Sequence, residues 1–129
     1  MKILFLDDQV SRFETFQKEV KGHDVDFAET YDEAVYFTKK YDYDVMFLDH
    51  DLNENDYQVE GVLQESKNGS KFAMFLAENG IKCRTVVLHS LNEYGRLNML
   101  SILKGRVTDT VFNAPFGWQD AERYIENGK

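Results

Sequence analysis

The stretch DVMFLDHDL, residues 44–52, decides the fold. Four apolar residues, Val45 to Leu48, run without a break and stop against Asp49, His50 and Asp51. A short continuous apolar run reads as a strand buried on both faces, the kind found in parallel sheets. Three ionisable groups directly behind such a strand point to a tip that faces a ligand.

Working outward, four more runs have the same character: KILFL (2–6), VDFA (25–28), TVVLH (85–89) and DTVF (109–112). Helical patterns separate them. Residues 11–21 set Phe13, Phe16 and Val20 on one face, with Ser11 able to cap the start. TYDE (30–33) is a capping box that opens a helix to about Lys40. Ser70 to Asn79 carries Phe72, Phe75 and Leu76 and stops at Gly80. Asn92 to Lys104 carries Leu97, Leu100 and Leu103 and stops at Gly105, and Trp118 to Glu126 closes the chain. Alternating strands and helices of these lengths predict a doubly wound α/β fold. The expected form is flavodoxin-like, with five parallel strands in the order 2-1-3-4-5. In such sheets ligands bind beyond the carboxyl ends of the strands, where the strand order switches. Residues 53–68 form an unusually long connection on that edge, against an ordinary span of about two to six residues.

The chain has 129 residues and reads as a single domain over 1–129. A chain of this size buries roughly two-thirds of its unfolded surface, so its core needs no staples. Its one cysteine, Cys83, cannot form an internal disulfide, and a reducing cytoplasm is the expected setting. The apolar start of MKILFLDD is too short for a signal peptide, and no stretch could span a bilayer. A net charge of −8 without a basic stripe argues against duplex nucleic acid as a partner. A small anionic ligand stays compatible, because a bound cation reverses the local field.

The predicted topology gathers chemistry at one edge. The first strand ends in Asp7 and Asp8, the third in Asp49, His50 and Asp51, the fourth in His89 and Ser90, and the fifth in NAPF (113–116). Carboxylates crowded between neighbouring strands repel one another, and a divalent cation relieves this. Oxygen ligands alone favour Mg²⁺, while a histidine in the shell shifts the choice toward Mn²⁺ or another transition metal. Each residue also has an ordinary reading taken singly. Asp7 and Asp8 could cap the next helix, as could Ser90 and Asn92, and either histidine could simply be bonded to backbone. It is their convergence on one edge that favours a metal or phosphate site.

FLDD after the first strand, Asp49, Ser90 and the Pro115-Phe116 pair resemble response-regulator receiver domains. In that family the acidic pair and the third-strand aspartate hold Mg²⁺, and that aspartate accepts a phosphoryl group. Receivers carry a phosphoryl-contacting lysine just before the fifth-strand proline, where this chain has Ala114. DDQVSRFETF (7–16), LDHDL (48–52), NGSKFAMFL (68–76) and LHSLNEYGRLNM (88–99) are more specifically similar to the cyclic-phosphate processing receiver domains of bacteria and phages. This resemblance implies a metal-dependent phosphoesterase that acts on a cyclic phosphodiester, in phage–host conflict or RNA repair. The ligand would be a small anionic nucleotide or a 2′,3′-cyclic RNA end.

On that reading Asp7, Asp8, Asp49 and Asp51 are the expected ligands of Mg²⁺ or Mn²⁺. Arg12, Ser90 and Asn92 would bind phosphate. His89, placed with His50 at the pocket edge, would transfer a proton, and His50 would be either its partner or a metal ligand, imidazole being the side chain that titrates near neutral pH. Asp49 is also an alternative nucleophile. Residues 53–68 would be either a disordered surface insertion, which their polarity suits, or a lid from which Tyr57 stacks on a base. The alternatives are a module that binds a nucleotide or a protein partner without turnover, and an atypical phospho-acceptor receiver.

Overall fold

The computed structural model describes residues 1–52, 57–59, 62–64 and 67–127. Five parallel strands form the main sheet: β1 (Lys2–Leu6), β2 (Asp24–Ala28), β3 (Val45–Leu48), β6 (Thr85–Leu88) and β7 (Thr110–Asn113). Their order is β2-β1-β3-β6-β7, which is the predicted 2-1-3-4-5. The helices are α1 (Val10–Glu19), α2 (Tyr31–Lys40), α3 (Gly69–Glu78), α4 (Glu93–Leu103) and α5 (Ala121–Asn127).

Alternation along each strand sends successive side chains to opposite faces. Ile3, Phe5, Val45, Phe47 and Val87 face one side and pack with Phe16 of α1, Val20 just past its end, and Ala121 and Ile125 of α5. Leu4, Leu6, Met46, Leu48, Val86 and Leu88 face the other side, against Phe72, Leu76, Met99 and Leu103 from α3 and α4. Each of these side chains larger than alanine contributes roughly 1.5–3 kcal/mol on burial. No helix among the described residues is long and apolar enough to cross a membrane.

Local signals are met unevenly. Thr30 caps α2 as predicted, its side chain accepting from the Glu33 amide. Ser11 does not cap α1, which begins one residue earlier, behind Gln9. The Gln9 amide is taken instead by the Asp7 carboxylate at 2.8 Å. The predicted last helix is split: a 3₁₀ turn, Gly117–Gln119, precedes α5. On α4 the stripe of Leu97, Leu100 and Leu103 is corrected. Leu97 is 46% exposed, and the buried face is Gly95, Arg96, Met99 and Leu103. The 53–68 connection is not a plain loop. It holds β4 (Tyr57–Val59) and β5 (Val62–Gln64), paired antiparallel. Both segments are rich in β-favouring residues such as Tyr and Val. The lid expected over 53–68 and the base-stacking role of the Tyr57 side chain lie outside the described residues.

Candidate active site at the carboxyl edge of the sheet

The register of the sheet builds the site. Leu6, Leu48, Leu88 and Asn113 stand side by side in the last row of β1, β3, β6 and β7. The ladder continues one step further: the amides of Asp49, His89 and Ala114 donate to the carbonyls of Leu6, Leu48 and Leu88 at 2.9, 3.1 and 2.9 Å. Asp7, Asp49, His89 and Ala114 therefore form one row just past the strand ends. Those neighbouring strands supply the carboxylates that sequence reasoning expected to crowd.

Asp7, Asp8 and Asp49 each offer an oxygen, and these oxygens lie within 4.8 Å of one another. Asp7 is 0% and Asp49 2% exposed. Burial drives the Asp49 carboxyl up to about 6, and the nearby charge of Asp7 adds to this. His89, the Ser90 hydroxyl and the His50 amide only partly offset the rise. Asp8 is also raised, first by burial and then by Asp7. Burial acts to raise Asp7 too, but His89, the Gln9 amide and Arg12 together hold it below the ordinary carboxylate range. Arg12 is the cation at the cluster, its Nη1 lying 3.4 Å from Asp7 Oδ2 and 3.7 Å from Asp49 Oδ2. One guanidinium against three carboxylates leaves the cluster short of positive charge. An all-oxygen donor set with two raised carboxyls fits a hard divalent cation.

The structure does not bring Asp51 into this cluster. Its exposed carboxylate turns to His50 Nδ1 at 2.8 Å and to Asn92 Nδ2 at 3.2 Å. Burial acts to raise Asp51, but these hydrogen bonds outweigh it and the net shift is downward. His89 is corrected as well. It was expected at the pocket edge, but it is 0% exposed because the β6 ladder carries it one residue further into the sheet. Its ring stacks on Phe5 with centroids 4.9 Å apart, and its Nε2 donates to Asp7 Oδ2 at 2.9 Å. Its Nδ1 is buried without a partner. His89 therefore holds Asp7 in place from behind through its Nε2–H.

His50, one residue past Asp49, points to the opposite face of the sheet. Its Nδ1 meets the Asp51 carboxylate, and its Nε2 lies 3.0 Å from Ser70 Oγ. The carboxylate can only accept, so Nδ1 carries a proton. Asn98 Nδ2 donates to Ser70 Oγ at 2.8 Å, which leaves the serine proton for His50 Nε2. Asp51, His50 and Ser70 thus form a carboxylate–imidazole–hydroxyl chain between the heads of α3 and α4. The helices reach this close only at glycines. A Cβ on Gly95 would lie 2.4 Å from His50 Cγ, and one on Gly69 would lie 2.2 Å from the Asp49 carbonyl oxygen. Sequence reasoning does not reach Ser70, which reads there as a helix start. The signal that could have found it is a hydroxyl directly behind the Asn68-Gly69 pair that seats α3 on the DHD turn.

Ser90 is buried, and its Oγ accepts from the Asn92 amide at 3.1 Å. Asn92 caps α4 through the Gly95 amide at 2.9 Å, so its side chain serves the helix and Asp51 together. Ala114 is buried at the end of β7, and no lysine stands there.

A family model for the cyclic-phosphate processing receiver domain matches residues 2–105. Among solved structures the chain is similar to a CheY-like response regulator receiver domain from Methanospirillum hungatei. The two are 15% identical with a TM-score of 0.66, over 98% of this chain and 90% of that one. It is also similar to response regulator TrrA of Thermotoga maritima, solved with Mg²⁺ and BeF, at 18% identity and a TM-score of 0.67, over 99% and 98% of the two chains. The Mn²⁺-bound form of response regulator Rcp1 gives 15% identity and a TM-score of 0.62, over 96% and 93%. At these identities the likeness is one of fold. No curated protein matches the chain.

Proposed function

Because the chain belongs to the cyclic-phosphate processing receiver domains, a branch of the response-regulator superfamily, we propose that it is a metal-dependent phosphoesterase that opens a cyclic phosphodiester. One observation carries this reading. Consecutive residues Asp49, His50 and Asp51 join the carboxylate cluster to an imidazole held between a carboxylate and a hydroxyl. Asp7, Asp8 and Asp49 would hold the cation. Bound there, Mg²⁺ or Mn²⁺ would neutralise phosphoryl charge and acidify water.

The remaining work falls to the chain itself. Ring opening adds water to phosphorus, breaks one phosphorus–oxygen bond and moves the proton of the water to the leaving alkoxide. His50, kept in one tautomer by Asp51, moves that proton through Nε2 and Ser70. Arg12 sits where it can turn from Asp7 and Asp49 to the phosphoryl oxygens. Ser90 and Asn92 line the start of α4, where free amides suit an anion. His89 keeps Asp7 ionised and aligned. Ala114, in place of a lysine, argues against a lasting aspartyl phosphate on Asp49. The ligand is a small nucleotide or the cyclic end of an RNA in the cytoplasm, and the charge of −8 speaks against duplex nucleic acid. Tyr94, 87% exposed at the head of α4, favours a binding module as the second reading.

The test is to incubate purified protein with 2′,3′-cyclic nucleotides and with 3′,5′-cyclic mono- and dinucleotides, following phosphorus by NMR. A monoester should form with Mg²⁺ or Mn²⁺ and not with EDTA. A ligand bound stoichiometrically and recovered intact after hours would replace hydrolysis with sequestration.

A further inference from the structure

A second cation lies at this edge, on the opposite face of the sheet from Arg12. Arg96, in the first turn of α4, is only 8% exposed. Its Nε donates to Asn113 Oδ1 at 2.5 Å and its Nη1 to the Ser90 carbonyl at 2.6 Å. The guanidinium is thereby fixed across the ends of β6 and β7. Both acceptors are neutral. Among the described residues no carboxylate lies within 4.0 Å of it, although the chain has 23 acidic residues. A guanidinium does not deprotonate in proteins, and a buried charge without a counter-charge is costly.

Arg12 meets its charge with Asp7 and Asp49, while Arg96 is clasped by two neutral acceptors and pairs with no acid among the described residues. The outer nitrogen, Nη2, makes no hydrogen bond to described residues, yet it is not sealed from solvent. One arm of a rigid, charged fork is therefore left open beside Ser90. Such an arm matches an oxyanion in both geometry and charge.

We infer that Arg96 is an anion-binding residue whose missing counter-charge is a phosphate oxygen of the ligand. It supplies from α4 the strand-end cation that is absent at Ala114. This rests on reading the edge as a phosphate site, but not on turnover. The ligand would then lie between two guanidiniums, with Arg12 on one side of the strand ends and Arg96 on the other. That arrangement suits a phosphate group entering over Asp49 and Ser90.

The experiment titrates inorganic phosphate into ¹⁵N-labelled wild-type protein with Mg²⁺ present, against chloride at equal ionic strength. The Arg96 Nε–H resonance should shift and saturate with phosphate and stay still with chloride. Arg96→Gln should weaken phosphate binding roughly ten- to hundred-fold, the span of a charge-assisted hydrogen bond, while the melting rise with Mg²⁺ persists. Arg96→Lys should recover part of the loss. The inference is overturned if Arg12 responds while Arg96 does not, or if Arg96→Gln binds phosphate like wild type. Should Arg96→Gln fail to fold, the wild-type titration decides alone. Phosphate binding at Arg96 without hydrolysis of any cyclic ester supports this inference and removes the phosphoesterase reading. Hydrolysis with Arg96 silent does the reverse.

Discussion

Replacing Asp49 by asparagine should stabilise the protein when no divalent cation is present. The carboxyl is 2% exposed, and burial carries it from 3.8 to about 6. A folded-state value above the unfolded one means that ionisation opposes folding. The associated stability is fully present below about pH 4 and is lost as pH rises through about 6. A rise of about 2 units corresponds to about 3 kcal/mol at neutral pH. Asparagine keeps the shape and can still accept from the His50 amide, which lies 2.9 Å from Oδ1. It gives up attraction to Arg12 at 3.7 Å, a part-exposed pair worth about 0–1 kcal/mol. The net gain is about 2 kcal/mol, or roughly 6–10 °C in Tm for a domain of this size. The assay is thermal unfolding of both proteins in EDTA from pH 4 to 8. The gap should open between about pH 4 and 6 and stay open above that. Millimolar Mg²⁺ or Mn²⁺ should then raise the wild type and leave Asp49→Asn unmoved. The reasoning fails if Asp49→Asn melts at or below wild type in EDTA at pH 7.5, or if the gap does not close in acid.

Gly95→Ala should lower stability by about 1–3 kcal/mol, because the added methyl meets the His50 ring and overpacks the α3–α4 junction. Denaturant unfolding with an unchanged m-value would check this. His50→Ala should cut kcat for the cyclic ester by roughly 10²–10⁴-fold, and Ser70→Ala should flatten the pH–rate profile; equal activity in both variants would remove the proton path. Acetyl phosphate should leave no long-lived phosphoryl group on Asp49. An acid-stable mass increase that Asp49→Ala abolishes would restore the signalling reading.

Much of the fold is legible in the sequence because β1, β3 and β6 are buried on both faces and so lack polar interruptions. The acids behind β1 and β3 are legible for the same reason: charge directly after such strands has only the carboxyl edge to occupy. What escapes is set by tertiary register. His89 follows β6 just as Asp49 follows β3 and both are buried, yet His89 stacks on Phe5 behind Asp7 while Asp49 lines the cluster. Asp51 looks like a further metal ligand by proximity in the chain, but β3 ends at Leu48 and the Asp51 carboxylate turns to His50 and Asn92 instead. On α4 three leucines suggest one face, and contacts of Gly95 and Arg96 with the strand ends rotate the helix onto another. No hydropathy pattern signals a buried arginine. The β4–β5 pairing falls within a polar segment that gives no continuous apolar run.

The acidic cluster also has a kinetic consequence. Three carboxylates at the mouth of a chain carrying −8 repel an anionic nucleotide at long range and attract a cation. The order of arrival follows: metal first, or nucleotide already carrying its metal, with free nucleotide the slow entrant. Added salt screens the repulsion, which decays over about 10 Å at 0.1 M. Association of the free anion with this protein therefore speeds up as salt rises, the opposite of what a basic nucleic-acid binder shows.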